Sequence, residues 1–560
     1  MSTQTFSPRQ RPVAIVDVGS NGIRFCIFST LARHLPIIYE ERSPISLFDA
    51  QNPEEINSTS SDKTEPVSIS SEVVGDLVRT FKRFQTLCNE AGVEKVRVVA
   101  TEALRTAPNS QAIQDQINQT TGWKVELLTK EGESRMTALG IMSSFTTVDG
   151  FVMDLGGGSV ELNYVVKYPD NPPMSSDNAQ SLPFGAALLA RRLTKCQTQE
   201  EHKAIYREIL EAMQHSLKEI KVPNEVSGVM RKTLYLSGGG FRALGYLSMM
   251  KHKYPISIIN GYRISVKELK KTIDEFLSQN SNIATDQLDV FRISNRRAKQ
   301  IPACCVLLSA ALEVLNQVED VYFSEGGVRQ GSYFDLMSSE EQAQDPVISG
   351  VKEFITGSFN PPTDQDVLEV YRVVKPLISI QYKDKTSKSI VARCLNDRLV
   401  KSAIYLSRYL LKYPKESAAN IAFRLPLTGG LLSNLPGLIH DERILLALIL
   451  SHSYGAELSV PRVEQVQHIV PEPVLKRAKL IGEMLSFLVA LCPLEMDLIR
   501  NVDLSIVPSS SDDKPSALTL TLPEQSLLVE GSFVEKSLAK IQKKLAKFNS
   551  GRFTVHVVRL

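Results

Sequence analysis

In the stretch FVMDLGGGSVELNYV, Phe151 to Val165, two carboxylates stand on either side of three consecutive glycines. Asp154 closes an apolar run, Gly156, Gly157, Gly158 and Ser159 follow, and Glu161 sits in an alternating run. Glycine weakens a strand, so a glycine triplet marks a tight turn or a close backbone approach to a ligand. The chain carries an echo of this pattern at Asp17-Val18-Gly19-Ser20-Asn21-Gly22, again between an apolar strand and an alternating one. Each copy reads as a hairpin with an acid at the end of its first strand. Successive backbone N–H groups in such a turn form an anion nest, and glycine lets a phosphate come close. The acid suits a hydrated divalent cation, because Mg²⁺ gives up its water reluctantly.

Other nucleotide motifs fail on context. No G-x-x-x-x-G-K-[ST] occurs in these stretches, and the dinucleotide fingerprint needs a helix where residues 160–165 alternate as a strand. A third glycine run, SGGGFRALG (Ser237 to Gly245), turns from strand toward helix without the spacing of either motif.

The elements that must position these residues follow from patterning. VAIVDVGSNGIRFCIF reads strand, turn, strand, and VVGDLVRTFKRFQTLCNEAG reads as a helix stopped by glycine. KVRVVATEALRTAPNS and WKVELLTKEGESRMTALGIMSSF each run from strand into helix, which predicts an α/β architecture. SLFDAQNPEEINSTSSDKTEPVSISSE and YPDNPPMSSDNAQS read as polar loops. Beyond about Pro346 long helical patterns replace glycine turns, and from about residue 500 a small α+β unit follows. The expected division is 1–12 disordered, 13–148 and 149–340 as two α/β lobes, 341–500 helical, and 501–560 a small α+β domain.

With 560 residues the chain exceeds one core, and 64 basic against 62 acidic residues leave a net charge of +2. That balance gives no support for direct nucleic-acid or membrane-surface binding. The basic spots at Arg296, Arg297 and Lys299, and at Lys540 to Lys547, read as solvated helix faces. Seven cysteines, odd in number and without a C-x-x-C pair, argue against structural zinc and for a reducing compartment. The polar start MSTQTFSPRQRP has no signal-peptide core, and the apolar runs are too short to span a bilayer, so the expectation is a cytoplasmic protein.

Two strand–glycine–strand acids and a later strand–GGG resemble the actin, Hsp70 and sugar-kinase superfamily, in which two ribonuclease-H-like lobes clasp a phosphate chain. DVGSNGIR, ATEALRTAPN, LTKEGESRMTALG, DLGGGSVEL, LPFGAALL, LSGGGFRA and SEGGVRQG occur in the order of the exopolyphosphatase/guanosine pentaphosphate phosphatase (Ppx/GppA) family. The resemblance covers about 13–335 and extends more faintly over an HD-like helical domain and a C-terminal unit. GSNGIR and ERSPISLFDAQ look most like its fungal branch, the retrograde regulation proteins that signal mitochondrial state to the nucleus.

The resemblance implies roles for particular residues. Glu133 falls on the catalytic glutamate that orients or deprotonates water, and Asp154 and Glu161 on the metal-and-water carboxylates, with Asp17 a further metal-side acid. Gly19, Ser20, Asn21, Gly22, Gly156, Gly157, Gly158, Ser159, Ser237, Gly238, Gly239 and Thr101 would line the phosphate site. Arg24 and Arg105 would clamp phosphate. The implied cofactor is Mg²⁺, and the implied ligand is ATP, polyphosphate or a related phosphoanhydride. A cytoplasmic signalling protein is the implied partner, and a homodimer is left open. Departures from the family pattern are Gly22 for serine, Gly132-Glu133 for paired acids, and Thr129-Lys130 for Ser-Gly. These favour regulation through ligand binding, with hydrolysis of a phosphoanhydride as the alternative. The pair His440-Asp441 in IHDER raises a metal-dependent HD reading, but few histidines accompany it, so a degenerate scaffold is expected.

Overall fold

A computed structural model describes residues 11–51, 67–169, 171–222, 232–278, 293, 295–358, 360–379, 395–409, 414–428, 432, 434–454, 466, 469–492, 497–507, 517–523, 533–548 and 553–558. Residues 1–10 of the start expected to be disordered, 1–12, lie outside them, as do 52–66 of the first polar loop. The chain divides into two units. One comprises Met1–Lys253 with Ile259–Pro346, the other Tyr254–Ile258 with Val347–Leu560.

The first unit holds two sheets of matching design. The first contains β1 (Val13–Gly19), β2 (Gly22–Phe28), β3 (Ile37–Ser43), β4 (Lys95–Ala100) and β5 (Val125–Leu127), in the order β3-β2-β1-β4-β5. An antiparallel meander β1-β2-β3 is extended by parallel β4 and β5. The second contains β6 (Val148–Leu155), β7 (Val160–Lys167), β8 (Met174–Ser175), β9 (Gln180–Leu182), β10 (Thr233–Gly238), β11 (Arg263–Ser265) and β12 (Asp320–Phe323). Here the antiparallel β6-β7 hairpin is extended by parallel β10 and β12. The sequence echo is therefore an echo of topology. β1 is buried along nearly its whole length because helices cover it, which accounts for its run of Val, Ala and Ile in place of alternation.

Helices carry the crossovers. In the first half of the unit they are α1 (Leu47–Gln51), α2 (Ser71–Glu90), α3 (Glu102–Thr106), α4 (Ser110–Thr121) and α5 (Lys130–Ser143). In the second they are α6 (Ala186–Lys195), α7 (Gln199–Glu219), α8 (Gly239–Lys251), α9 (Val266–Ser278), α10 (Asn295–Ala298), α11 (Ile301–Val314) and α12 (Val328–Phe334). The Ser70 hydroxyl caps α2, accepting from Val73 N at 3.4 Å, and α5 begins with the Thr129 hydroxyl accepting from Gly132 N at 3.0 Å. α5 and α12 cross in backbone contact. A Cβ on Gly331 would collide with Met136 O, and one on Gly140 with the Gly327 backbone.

Two segments read as loops contain regular structure. Residues 47–51 form α1, because Leu47 is fully buried and Gln51 Nε2 donates to Ala103 O at 2.6 Å. Within 168–181, β8 and part of β9 pair with β7, satisfying an edge that the polar composition of the segment conceals.

The second unit is helical around one core drawn from residues between Ile256 and Ile541. Leu504 of β13 (Asp503–Val507) and Leu520 and Leu522 of β14 (Ala517–Pro523) lie in that same core. With β15 (Phe553–Val558) these strands form a three-stranded sheet. The helix His440–Ser453 is buried throughout, and Arg443 donates to the carbonyls of Leu432 and Leu435 at 3.0 and 2.8 Å.

Candidate phosphate-binding cleft

Register sets the acids. Asp17 on β1 stands opposite Arg24 on β2, and Asp154 on β6 stands opposite Glu161 on β7. Opposed residues in an antiparallel pair project from one face, so each hairpin presents its acid beside its turn. The two turns belong to different sheets yet line one cleft of about 200 Å³. A Cβ on Gly157 would strike the Asn21 side chain, and one on Gly158 would sit 2.7 Å from Glu102 Oε2. A side chain at Gly157 would have to displace the Asn21 amide of the first turn, and one at Gly158 the Glu102 carboxylate of α3.

Of the sequence-predicted residues, Asp17, Gly19, Ser20, Asn21, Gly22, Arg24, Thr101, Glu133, Asp154, Gly156, Gly157, Ser159, Ser237, Gly238 and Gly239 line the cleft. Gly158 is absent from the wall and packs beneath Gly185. Glu161 is also set back. It is buried, accepting from Ser159 Oγ at 2.6 Å and Ser181 Oγ at 3.3 Å. Arg105, expected to clamp phosphate, instead donates from Nη1 to Glu133 Oε2 at 3.2 Å and to Leu128 O at 2.6 Å. Ser237 directs its hydroxyl to Gly326 O at 2.5 Å.

Arg42, Glu102, Arg242, Arg297 and Glu325 also line the cleft, though none is among the sequence-predicted site residues. Arg242 lies one turn into α8 and reaches back, its Nε donating to Gly238 O and its Nη1 to Glu325 O, both at 3.2 Å. Its place four residues after Gly238 in SGGGFRALG was the available signal.

Charge is concentrated here. Burial pushes the carboxyls of Asp17 and Asp154 upward, opposed by Arg24 and by Arg242 respectively, and Asp154 raises Asp17 further by repulsion. Glu161 is raised well above the ordinary range by burial and by Glu133 and Asp154. Burial lifts Glu133 to about 7 against the opposing pull of Arg105. On the cationic side, burial lowers Arg242 to about 10, with Arg24 and Arg297 contributing by repulsion. Burial and Arg24 likewise lower Arg297. Acids that disfavour one another's ionisation call for a cation, and guanidiniums that disfavour one another call for an anion.

Among the described residues no group of three His, Cys, Asp or Glu side chains is close enough to cage a bare metal ion. Asp17 and Asp154 fit a hydrated ion, held through water, rather than a stripped one. In the helical unit, His440 lies beside the Tyr254 ring at 5.2 Å between centroids, and His452 Nδ1 is 3.4 Å from Glu483 Oε1. His468 lies outside the described residues. No helix among the described residues is long and apolar enough to cross a membrane.

Two mixed sheets of repeated topology, each offering a glycine turn and an acid to one cleft, define a two-lobed protein of the actin-like class. More particularly, the chain belongs to the Ppx/GppA phosphatase family, which it matches over residues 26–340. Residues 356–478 match the RTG2 C-terminal domain. Over 475 residues the chain is 32% identical to Retrograde regulation protein 2 of Saccharomyces cerevisiae, covering 83% of this chain and 76% of that one. Exopolyphosphatase 1 of Mycobacterium tuberculosis is 26% identical over 304 residues, 54% of this chain and 84% of that protein. A solved Aquifex aeolicus PPX-GPPA enzyme aligns at 24% identity with a TM-score of 0.46, covering 58% of this chain and 99% of that one.

Proposed function

We propose that the cleft binds the phosphate chain of ATP, polyphosphate or a related phosphoanhydride together with Mg²⁺, and that the bound state regulates a signalling partner in the cytoplasm. The observation that carries this reading is the convergence of two glycine turns and the guanidiniums of Arg24, Arg242 and Arg297 on one cleft. Backbone turns and guanidiniums both match phosphate geometry. Asp17 and Asp154 would hold the Mg²⁺, which supplies charge neutralisation at phosphate oxygens. The regulatory half rests on the named activity of the yeast relative, which spans both units of this chain.

Hydrolysis is the second reading, and Glu133 favours it. A carboxyl lifted to about 7 in the cleft wall suits a general base near neutral pH. The deciding experiment is phosphate release from polyphosphate and from ATP with Mg²⁺, comparing the native chain with Glu133→Ala. Release lost in the variant makes the protein a hydrolase. Binding of the same ligands without release leaves a sensor.

A further inference from the structure

Gly22 closes the first turn with φ +152°, and a Cβ there would lie 2.9 Å from Ser43 O and 3.0 Å from Arg42 Nε. The Arg42 guanidinium thus lies against the space that a side chain at residue 22 would enter. Its Nη2 donates to Asn21 O at 2.9 Å, inside the turn itself. Asn21 in turn reaches the second turn at Gly157. Arg42 is exposed and lines the cleft at its outer edge.

Strand register adds an independent observation. Arg42 on β3 stands directly opposite Arg24 on β2, which stands opposite Asp17 on β1. Arg24 Nη1 is 3.6 Å from Asp17 Oδ2. Like charges directly opposed across a sheet are destabilising, and here both project toward one cleft. An anion lying across the row relieves the repulsion and gains a second guanidinium.

From this we infer that Arg42 is a ligand-binding residue, contacting an oligophosphate at the outer edge of the first turn, and that the absence of a side chain at Gly22 is what admits it. The inference rests on the phosphate-binding reading above. It makes position 42 a determinant of how many phosphates the cleft grips, because Arg42 lies outward of the Asp17–Arg24 pair.

The test is calorimetric titration of tripolyphosphate and of inorganic phosphate, in MgCl₂, into the full chain and three variants. Arg42→Gln removes the contact. Gly22→Ala obstructs it. Arg83→Gln removes the same charge from an exposed arginine bound to Glu41, away from the cleft. Tripolyphosphate should bind about tenfold more weakly to Arg42→Gln and less than twofold more weakly to Arg83→Gln. Inorganic phosphate should lose little with either. Arg42→Gln within twofold of the native chain overturns the inference while leaving the cleft assignment intact, as does an equal loss from Arg83→Gln. Failure of the native chain to bind tripolyphosphate at all overturns both. Gly22→Ala, if folded, should reproduce the tripolyphosphate loss and add nothing to Arg42→Gln.

Discussion

Arg105 Nη1 lies 3.2 Å from Glu133 Oε2 and holds that carboxylate at the wall of the cleft. The same nitrogen donates to Leu128 O at 2.6 Å, so the guanidinium is fixed at the start of α5. The pair gives Glu133 a defined position without fully offsetting its burial, and its carboxyl sits at about 7.

That shift fixes the sign of a pH effect. Between the ordinary carboxyl value and about 7 the folded chain keeps a proton that the unfolded chain has released. Stability contributed at Glu133 is therefore present at low pH and lost as pH rises through 7. Glu133→Gln should flatten this dependence, so the melting temperature of the variant should gain on the native chain between pH 5 and pH 8. Parallel melting curves across that range would contradict the assignment. If the cleft hydrolyses its ligand, native release should rise through the same window.

The α5–α12 crossing should be intolerant of a single methyl group. Gly331→Ala places a Cβ against Met136 O, a backbone atom that cannot rotate away. A loss of about 3–5 kcal/mol is expected, within the range reserved for severe packing faults. Gly92→Ala, where φ is +66° but nothing lies within 4 Å, should cost only about 1 kcal/mol from backbone strain. Urea denaturation of the two variants separates the mechanisms, and equal losses would refute the crossing as described.

Arg33 is a buried cation with a structural task. It donates to Ser143 O at 2.7 Å and Phe145 O at 2.9 Å, and its guanidinium lies 4.9 Å from the Phe334 ring centroid. A guanidinium at the carbonyl end of α5 complements the helix dipole and joins the β2–β3 connection to α5. Arg33→Met should destabilise the first unit by about 3–5 kcal/mol, because it leaves buried carbonyls without their donor. Chemical denaturation should show it, and a change below about 1 kcal/mol would make Arg33 an incidental contact.

Much of the cleft was legible because its chemistry is local. Asp154, three glycines and Glu161 lie on consecutive elements, so alternation alone predicts a hairpin with both acids on one face. Long-range geometry was not legible. Arg42 reaches the first turn through the β2–β3 register, which no local pattern encodes. Arg297, read as part of a solvated basic face, reaches the cleft because α10 precedes the buried α11. Arg105 was assigned to phosphate on residue type, whereas the fold places a carboxylate within its reach first. β8 and β9 were hidden because an edge partner needs few apolar residues.

Binding of a phosphoanhydride chain by the paired turns and acids of the cleft is the function proposed above. Its most direct test is a titration of tripolyphosphate into the full chain and into Asp154→Ala, with and without MgCl₂. Saturable one-site binding that MgCl₂ strengthens is expected, weakened at least tenfold in the variant, which corresponds to about 1.4 kcal/mol. No binding by the native chain, or the same affinity in Asp154→Ala, would contradict it.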